Sequence, residues 1–333
     1  MTKKIKLGVI GCSNISKKSV LPAIQSSINA EISIIGSRSA DKAKSYSQLF
    51  SCEKFGNYQD VLDSKETDAV YISLPIGLQK EWVSKAAEQG KNIICEKSAT
   101  DSFESAKEMI SICKSNEVRL MEGFMFRFHP QQKKVKEIIN QNQLGDIFSF
   151  HGEYGFPMPS DNDIRLNPEL GGGILNDAGC YPVCASRILF DDEPLQVSCN
   201  LYKNEKSSVD LKFSGMLIYP KNRIASMHVG YDMHFKSTYD IWGNKGKLHL
   251  SRAYNVPPNQ KTLITLDTNQ ISKIEIDAID HFQKMIDAFC SELQGNKIVD
   301  YNFEDDLLKQ ARTMEALRIS HKERRIVKIC EIN

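Results

Sequence analysis

The sequence has no excess of either charge, no long apolar run and no cysteine framework, and each absence removes a class of protein. Its 43 Lys and Arg balance 42 Asp and Glu to a formal net charge of +1. Nucleic-acid binding would need a basic stripe to offset phosphates, so no nucleic-acid partner is expected. No stretch approaches the roughly 18 apolar residues of a membrane span, so no membrane partner is expected either. Met1-Thr2-Lys3-Lys4 runs straight into an apolar strand, without a signal-peptide core or cleavage site. The nine cysteines are scattered singly, an odd number without disulfide spacing, which reads as reduced thiols in the cytoplasm. Cys180 and Cys184 have the spacing of two ligands on one helix face. No His or other Cys lies close in sequence, so no metal site is expected.

What is present is an alternation of short apolar runs with amphipathic stretches. Residues 5–10, 31–35, 69–74, 92–95 and 119–121 read as buried strands. Residues 17–27, 41–50, 58–64, 79–89 and 102–115 read as the helices between them. That pattern predicts βαβ units and a doubly wound parallel sheet of the Rossmann type. At 333 residues the chain exceeds what one core usually supports, and two domains are expected, 1–122 and 123–333. The second begins with a helix at 130–140 and a strand at 147–155, and later carries strands at 196–202, 208–218, 223–231 and 238–242. Hairpin-length connections make this an α/β domain with a large, mostly antiparallel sheet. Helices at 278–293 and 303–321 close the chain.

The first strand ends in Gly11-Cys12-Ser13-Asn14-Ile15-Ser16, followed by a helix. Only Gly11 matches a G-x-G-x-x-G phosphate loop outright; Ser13 and Ser16 take the other glycine positions, where a hydroxyl can itself donate to phosphate. An ordinary strand-to-helix turn is the alternative. The second strand ends in Ser37-Arg38-Ser39, where an NAD enzyme usually places an acid for the ribose 2′-hydroxyl. A guanidinium and two hydroxyls suit a 2′-phosphate, which favours NADP and leaves NAD as the second choice; a solvated Arg on a turn is the plainer reading.

Glu96-Lys97-Ser98 follows the strand 92–95 at its carboxyl end, where doubly wound sheets bind ligands. Lys97 there can relay a proton or stabilise an alkoxide, or simply pair with Glu96. Asp177 and Tyr181 lie four apart behind the flexible run Gly171-Gly172-Gly173, and Pro182 places them at a helix entrance. Tyrosine's ordinary pKa of about 10 is high for proton exchange, and the Lys97 cation would favour its phenolate. A capping Asp and a packing Tyr are the alternative roles.

Together the segments 8–16, 37–39, 71–75, 90–98, 121–131 and 169–183 resemble the glucose–fructose oxidoreductase and inositol dehydrogenase family over essentially the whole chain. The Phe124-Met125-Phe126-Arg127-Phe128-His129-Pro130 segment and Tyr181 are most similar to the branch of dihydrodiol and xylose dehydrogenases and nucleotide-sugar 3-ketoreductases. The resemblance implies proton transfer by Lys97 and Tyr181, with Asp177 beside them, and cofactor contacts at Gly11, Ser13, Asn14, Ile15, Ser37, Arg38, Ser39, Leu74, Pro75, Gln79, Glu96 and Lys97. It further implies a homodimer or homotetramer built on sheet faces. Ser98 departs from the family's usual Pro, and Ile76 and Gln79 from its usual Asn and His. Arg165 and Arg252 are the residues expected to bind the diphosphate of a nucleotide-linked sugar; pairing with acids such as Asp161, Asp163 or Glu169 is the alternative. The resulting expectation is an NADP-preferring oxidoreductase acting on a carbonyl or secondary alcohol of a nucleotide-linked keto-sugar. A free-aldose or trans-dihydrodiol dehydrogenase comes next, and a non-catalytic NADP sensor after that.

Overall fold

The computed structural model describes residues 3–333. The chain divides into two compact units. The first comprises the chain through Thr100 with Glu104–Met125 and Asp280–Leu308; the second comprises Asp101–Phe103, Phe126–Ile279 and Lys309–Asn333.

In the first unit, strands β1 (Ile5–Ile10), β2 (Ala30–Gly36), β3 (Phe55–Gly56), β4 (Ala69–Ile72), β5 (Asn92–Glu96) and β6 (Leu120–Gly123) form one sheet in the order β3-β2-β1-β4-β5-β6. Every pairing in it is parallel. Helices α1 (Leu21–Ser26), α2 (Ala40–Leu49), α3 (Tyr58–Asp63), α4 (Ile76–Glu88) and α5 (Phe103–Ser115) form the connections. A parallel sheet covered on both faces needs unbroken apolar strands, and β4 is buried at every position. The chain winds outward from β1 to β3 and then returns to β4 on the other flank of β1. That reversal is the switch point where such sheets bind ligands.

In the second unit a nine-stranded sheet runs β14-β13-β12-β11-β7-β10-β9-β8-β15. Its strands are β7 (Ile147–Phe156), β8 (Gln196–Tyr202), β9 (Lys212–Ile218), β10 (Ile224–Tyr231), β11 (Lys236–Gly243), β12 (Lys247–Leu250), β13 (Thr262–Asp267), β14 (Ile271–Ile276) and β15 (Val327–Lys328). All pair antiparallel except β7 with β10. Helix α6 (Pro130–Asn140) precedes β7, and α7 (Cys180–Phe190) packs on β7 and β10. The strand expected from residue 208 begins only at Lys212, because the backbone of Asp210 is drawn into the turn below the glycine run.

Helix α8 (His281–Leu293) belongs to the first unit, whereas the boundary after residue 122 assigns it to the second domain. Its buried stripe of Phe282, Met285, Ile286 and Phe289 explains the placement, because it packs on α1 and β2. Polar pins fix the register: Ser27 donates to Asp287 Oδ1 at 2.5 Å, and the Asn29 amide donates to Ser291 Oγ at 2.8 Å. Helix α9 (Phe303–Glu323) closes the chain.

Candidate active site

The loop after β1 turns at Gly11, whose φ is +110°, and a Cβ there would stand 2.4 Å from the Ser73 carbonyl oxygen. Only glycine fits both the dihedral and the space. The following helix starts with a π-type turn, Ser16–Val20, before α1 with Pro22 in its first turn. Asn14 and Ile15 are exposed at its start, where free N–H groups and the helix dipole favour an anion. The loop's hydroxyls also brace the loop itself. Ser16 is fully buried and donates to the Gly11 carbonyl at 2.7 Å, so it braces the turn. Ser13 Oγ accepts from the Ser16 N–H at 3.1 Å and meets Ser73 Oγ at 2.6 Å.

At the end of β2, Ser39 is the N-cap of α2 and accepts from the Lys42 N–H, while Ser37 accepts from the Ser39 N–H. Arg38 is exposed between them, and its positive charge falls on the buried phenol of Tyr58, pulling down a pKa that burial raises. Tyr58 is in turn packed edge-on against Trp82, with ring centroids 4.9 Å apart.

At the end of β5, Glu96 points into the interior, where Tyr71 donates to Oε1 and the Lys97 N–H donates to Oε2 at 3.2 Å. Burial raises its pKa against both of those bonds. Glu96 is therefore a brace for the strand end, while the Lys97 side chain is half-exposed and the Lys97–Ser98 peptide is cis. Leu74 and Pro75 lead into α4. Gln79, 1% exposed, donates to the Leu74 carbonyl at 3.0 Å, and its Oε1 is buried with no hydrogen-bond partner among the described residues. A buried unpaired acceptor costs about 1–3 kcal/mol, which an incoming N–H would recover.

In the second unit, Asp177 stands on another π-type turn, Leu175–Gly179, and Tyr181 in the first turn of α7, into which it runs. Pro182 has no N–H to continue the helical ladder here, and the wider turn accommodates its ring. The glycine run is clamped by backbone hydrogen bonds. Gly173 donates to the Arg165 carbonyl at 2.9 Å, and a Cβ on Gly172 would stand 2.5 Å from that same oxygen. Asp210 fixes the turn from β9's side, accepting the Leu175 N–H at 2.7 Å and the Ile174 N–H at its carbonyl.

Three tyrosines outside the expected site residues complete this half. Tyr231 donates to Asp177 Oδ2 at 3.0 Å. Burial and the Asp177 carboxylate both push the phenol's pKa well up, so it remains a donor. Tyr154 and Tyr254 surround Tyr181 with centroids 5.5 and 5.7 Å away, and Phe126 joins at 5.7 Å. Tyr181 is 5% exposed within this cluster. The two arginines have opposite fates. Arg165 is gripped by Asp163 through two hydrogen bonds of 2.8 Å, and another of its nitrogens lies 3.8 Å from Asp177. Its charge is thus matched internally. Arg252 stacks on Phe235, 4.3 Å from the ring centroid, and its Nε donates to the Asn255 carbonyl.

The first half fits a nicotinamide dinucleotide. Gly11 leaves room for a pyrophosphate at a helix start, Arg38 offers an exposed cation at the end of β2, and Gln79 offers an unused acceptor at the end of β4. The second half presents a tyrosine hydroxyl and a fixed carboxylate four residues apart, a combination suited to proton transfer at a carbonyl oxygen.

Comparison with known proteins agrees with this division. Residues 5–124 match the model of an oxidoreductase family with an NAD-binding Rossmann fold, and residues 132–249 match the GFO/IDH/MocA C-terminal domain. A dTDP-3,4-didehydro-2,6-dideoxy-alpha-D-glucose 3-reductase of Saccharopolyspora spinosa is 28% identical over 95% of this chain and 97% of its own. The D-xylose 1-dehydrogenase (NADP(+)) 2 of Haloferax volcanii is 31% identical over 93% and 95%. Among solved structures, a 3-ketoreductase from Actinomadura kijaniata in complex with NADP and TDP-benzene superposes with a TM-score of 0.89. It is 29% identical and covers 96% of this chain and 98% of its own. The pairing of the two domains, matched in order along one chain, settles the assignment: this protein belongs to the GFO/IDH/MocA family of NAD(P)-binding oxidoreductases.

Proposed function

We propose that this enzyme reduces a ketone on a nucleotide-linked sugar, or oxidises the corresponding secondary alcohol, with a preference for NADP(H). The observation that carries the reading is the Leu175–Gly179 turn, which holds a carboxylate fixed by Tyr231 four residues before the cluster-bound Tyr181. Bound NADPH would supply the hydride. Tyr181 donates the proton to the forming alkoxide, Lys97 offers a positive charge to stabilise it, and Asp177 accepts a hydrogen bond from a neighbouring sugar hydroxyl. Gln79 holds an amide donor and Arg38 a 2′-phosphate. Relatives named as dTDP-keto-sugar reductases support the substrate class.

A free aldose is the second reading, favoured by the internal neutralisation of Arg165 and by the xylose-dehydrogenase relative. Trp242 and Met216, exposed on the sheet of the second unit, support a homodimer or homotetramer. Cysteines that form no disulfide among the described residues support a reducing, cytoplasmic setting.

The test is fluorescence titration with NADPH and NADH, on the wild type and on Arg38→Ala, followed by turnover of a dTDP-linked 3-keto-sugar against D-xylose. NADPH binding that weakens selectively in the variant, with turnover of the nucleotide-linked substrate, supports the reading. Absence of binding by either nucleotide overturns it.

A further inference from the structure

Among the described residues Arg252 forms no ion pair, unlike Arg165, which pairs with Asp163. Burial lowers the pKa of its guanidinium, with Tyr154 acting in the opposite sense. A half-buried cation without a counter-ion is costly unless a ligand supplies the anion. Tyr154 ties this charge to the aromatic cluster, since its ring lies 5.5 Å from that of Tyr181.

The segment that carries Arg252 is built rigidly. Gln131, fully buried, donates to the Arg252 carbonyl at 2.9 Å, and Gln132 donates to the Ala253 carbonyl at 2.9 Å. The Ala253 N–H binds the Ser237 carbonyl at 2.6 Å, and the Tyr254 N–H binds the Ser237 hydroxyl at 3.2 Å. The guanidinium therefore sits on a fixed support, stacked on a ring that is itself 39% exposed. A planar cation against an open aromatic ring matches a ligand with a phosphate group joined to a flat, stackable base.

We propose that the Arg252–Phe235 pair docks the nucleoside diphosphate end of the substrate, with Arg252 on the phosphate and Phe235 under the base. The inference rests on the nucleotide-linked reading above and assigns Arg165 no part in holding the diphosphate. Arg165 is spent on Asp163 and Asp177.

The experiment is calorimetric titration of the full chain with thymidine 5′-diphosphate under saturating NADP, which blocks the dinucleotide site. The variants are Arg252→Ala, Arg252→Lys and Phe235→Ala, each checked for an unchanged melting temperature and NADPH affinity. Arg252→Ala should weaken binding about tenfold or more, and Phe235→Ala roughly three- to tenfold. Arg252→Lys, which keeps the charge but not the planar fork, should fall between the wild type and Arg252→Ala. Unchanged affinity in either alanine variant overturns the pair while leaving the nucleotide-linked reading in place. Failure of the wild type to bind thymidine 5′-diphosphate overturns both; NADPH-dependent turnover of D-xylose would then preserve the oxidoreductase assignment alone.

Discussion

The Tyr231 hydroxyl donates to Asp177 Oδ2 at 3.0 Å, joining the end of β10 to the turn that runs into α7 and Tyr181. The bond leaves one carboxylate oxygen aimed by a phenol that stays protonated and by Arg165 at 3.8 Å. Tyr231→Phe removes the aim but keeps the ring that packs on Phe156 at 5.5 Å. Turnover should fall about tenfold with KM little changed, and the same change in an Asp177→Asn background should add no further loss. Additive losses in steady-state kinetics would show that Tyr231 acts by another route.

Tyr181→Phe keeps the ring contacts with Tyr154, Tyr254 and Phe126 and deletes only the hydroxyl. Turnover should drop roughly 10²–10⁴-fold, with NADPH affinity by fluorescence titration intact. Wild-type turnover in this variant would remove Tyr181 as the acid.

Gly11→Ala places a methyl group against the Ser73 carbonyl in a backbone region that alanine avoids. Urea unfolding should show a loss of about 1–3 kcal/mol, and NADPH should bind more weakly because the same turn presents the helix start.

His129, 1% exposed at the N-cap of α6, carries a pH dependence of stability. Burial pushes its imidazole down to about 4, below the roughly 6.5 of an unfolded histidine. Between those values the unfolded chain binds the proton more readily, so stability is full above pH 6.5 and falls on acidification toward pH 4, by up to about 3 kcal/mol. His129→Asn keeps an acceptor for the Gln131 N–H, which His129 Nδ1 receives at 3.3 Å, and removes the titration. Urea unfolding across pH 4–7 should show a shallower slope in the variant than in the wild type.

The residues that were legible in sequence are those whose role is local. Continuous runs such as Ala69–Ile72 announce buried parallel strands, Gly11 announces a turn that only glycine allows, and Pro182 marks a helix entrance. Even Arg165 carried its answer two residues away, in Asp163. What stayed hidden depends on partners far along the chain. Tyr231 lies 54 residues from the carboxylate it holds, and Asp210 lies 35 from the N–H it caps. Strand β3 has two residues, too few for any periodicity, and β14, at the sheet's edge, buries none of its side chains fully. Gln79 reads as a lost histidine in sequence; only burial shows its oxygen left without a donor.

Helix α8 has a consequence for the order in which this protein is made. The β1–β6 sheet is complete once the first 123 residues exist, yet the cover over α1 and β2 arrives with Asp280–Leu308. Ser27 and Asn29 wait about 260 residues for Asp287 and Ser291. On the ribosome the nascent Rossmann sheet therefore emerges with an apolar flank bare, and Phe126–Ile279 of the second unit is synthesised in the interval. A fragment ending at residue 122 would be frozen in that unfinished state, exposing the surface that Phe282, Met285, Ile286 and Phe289 later shield.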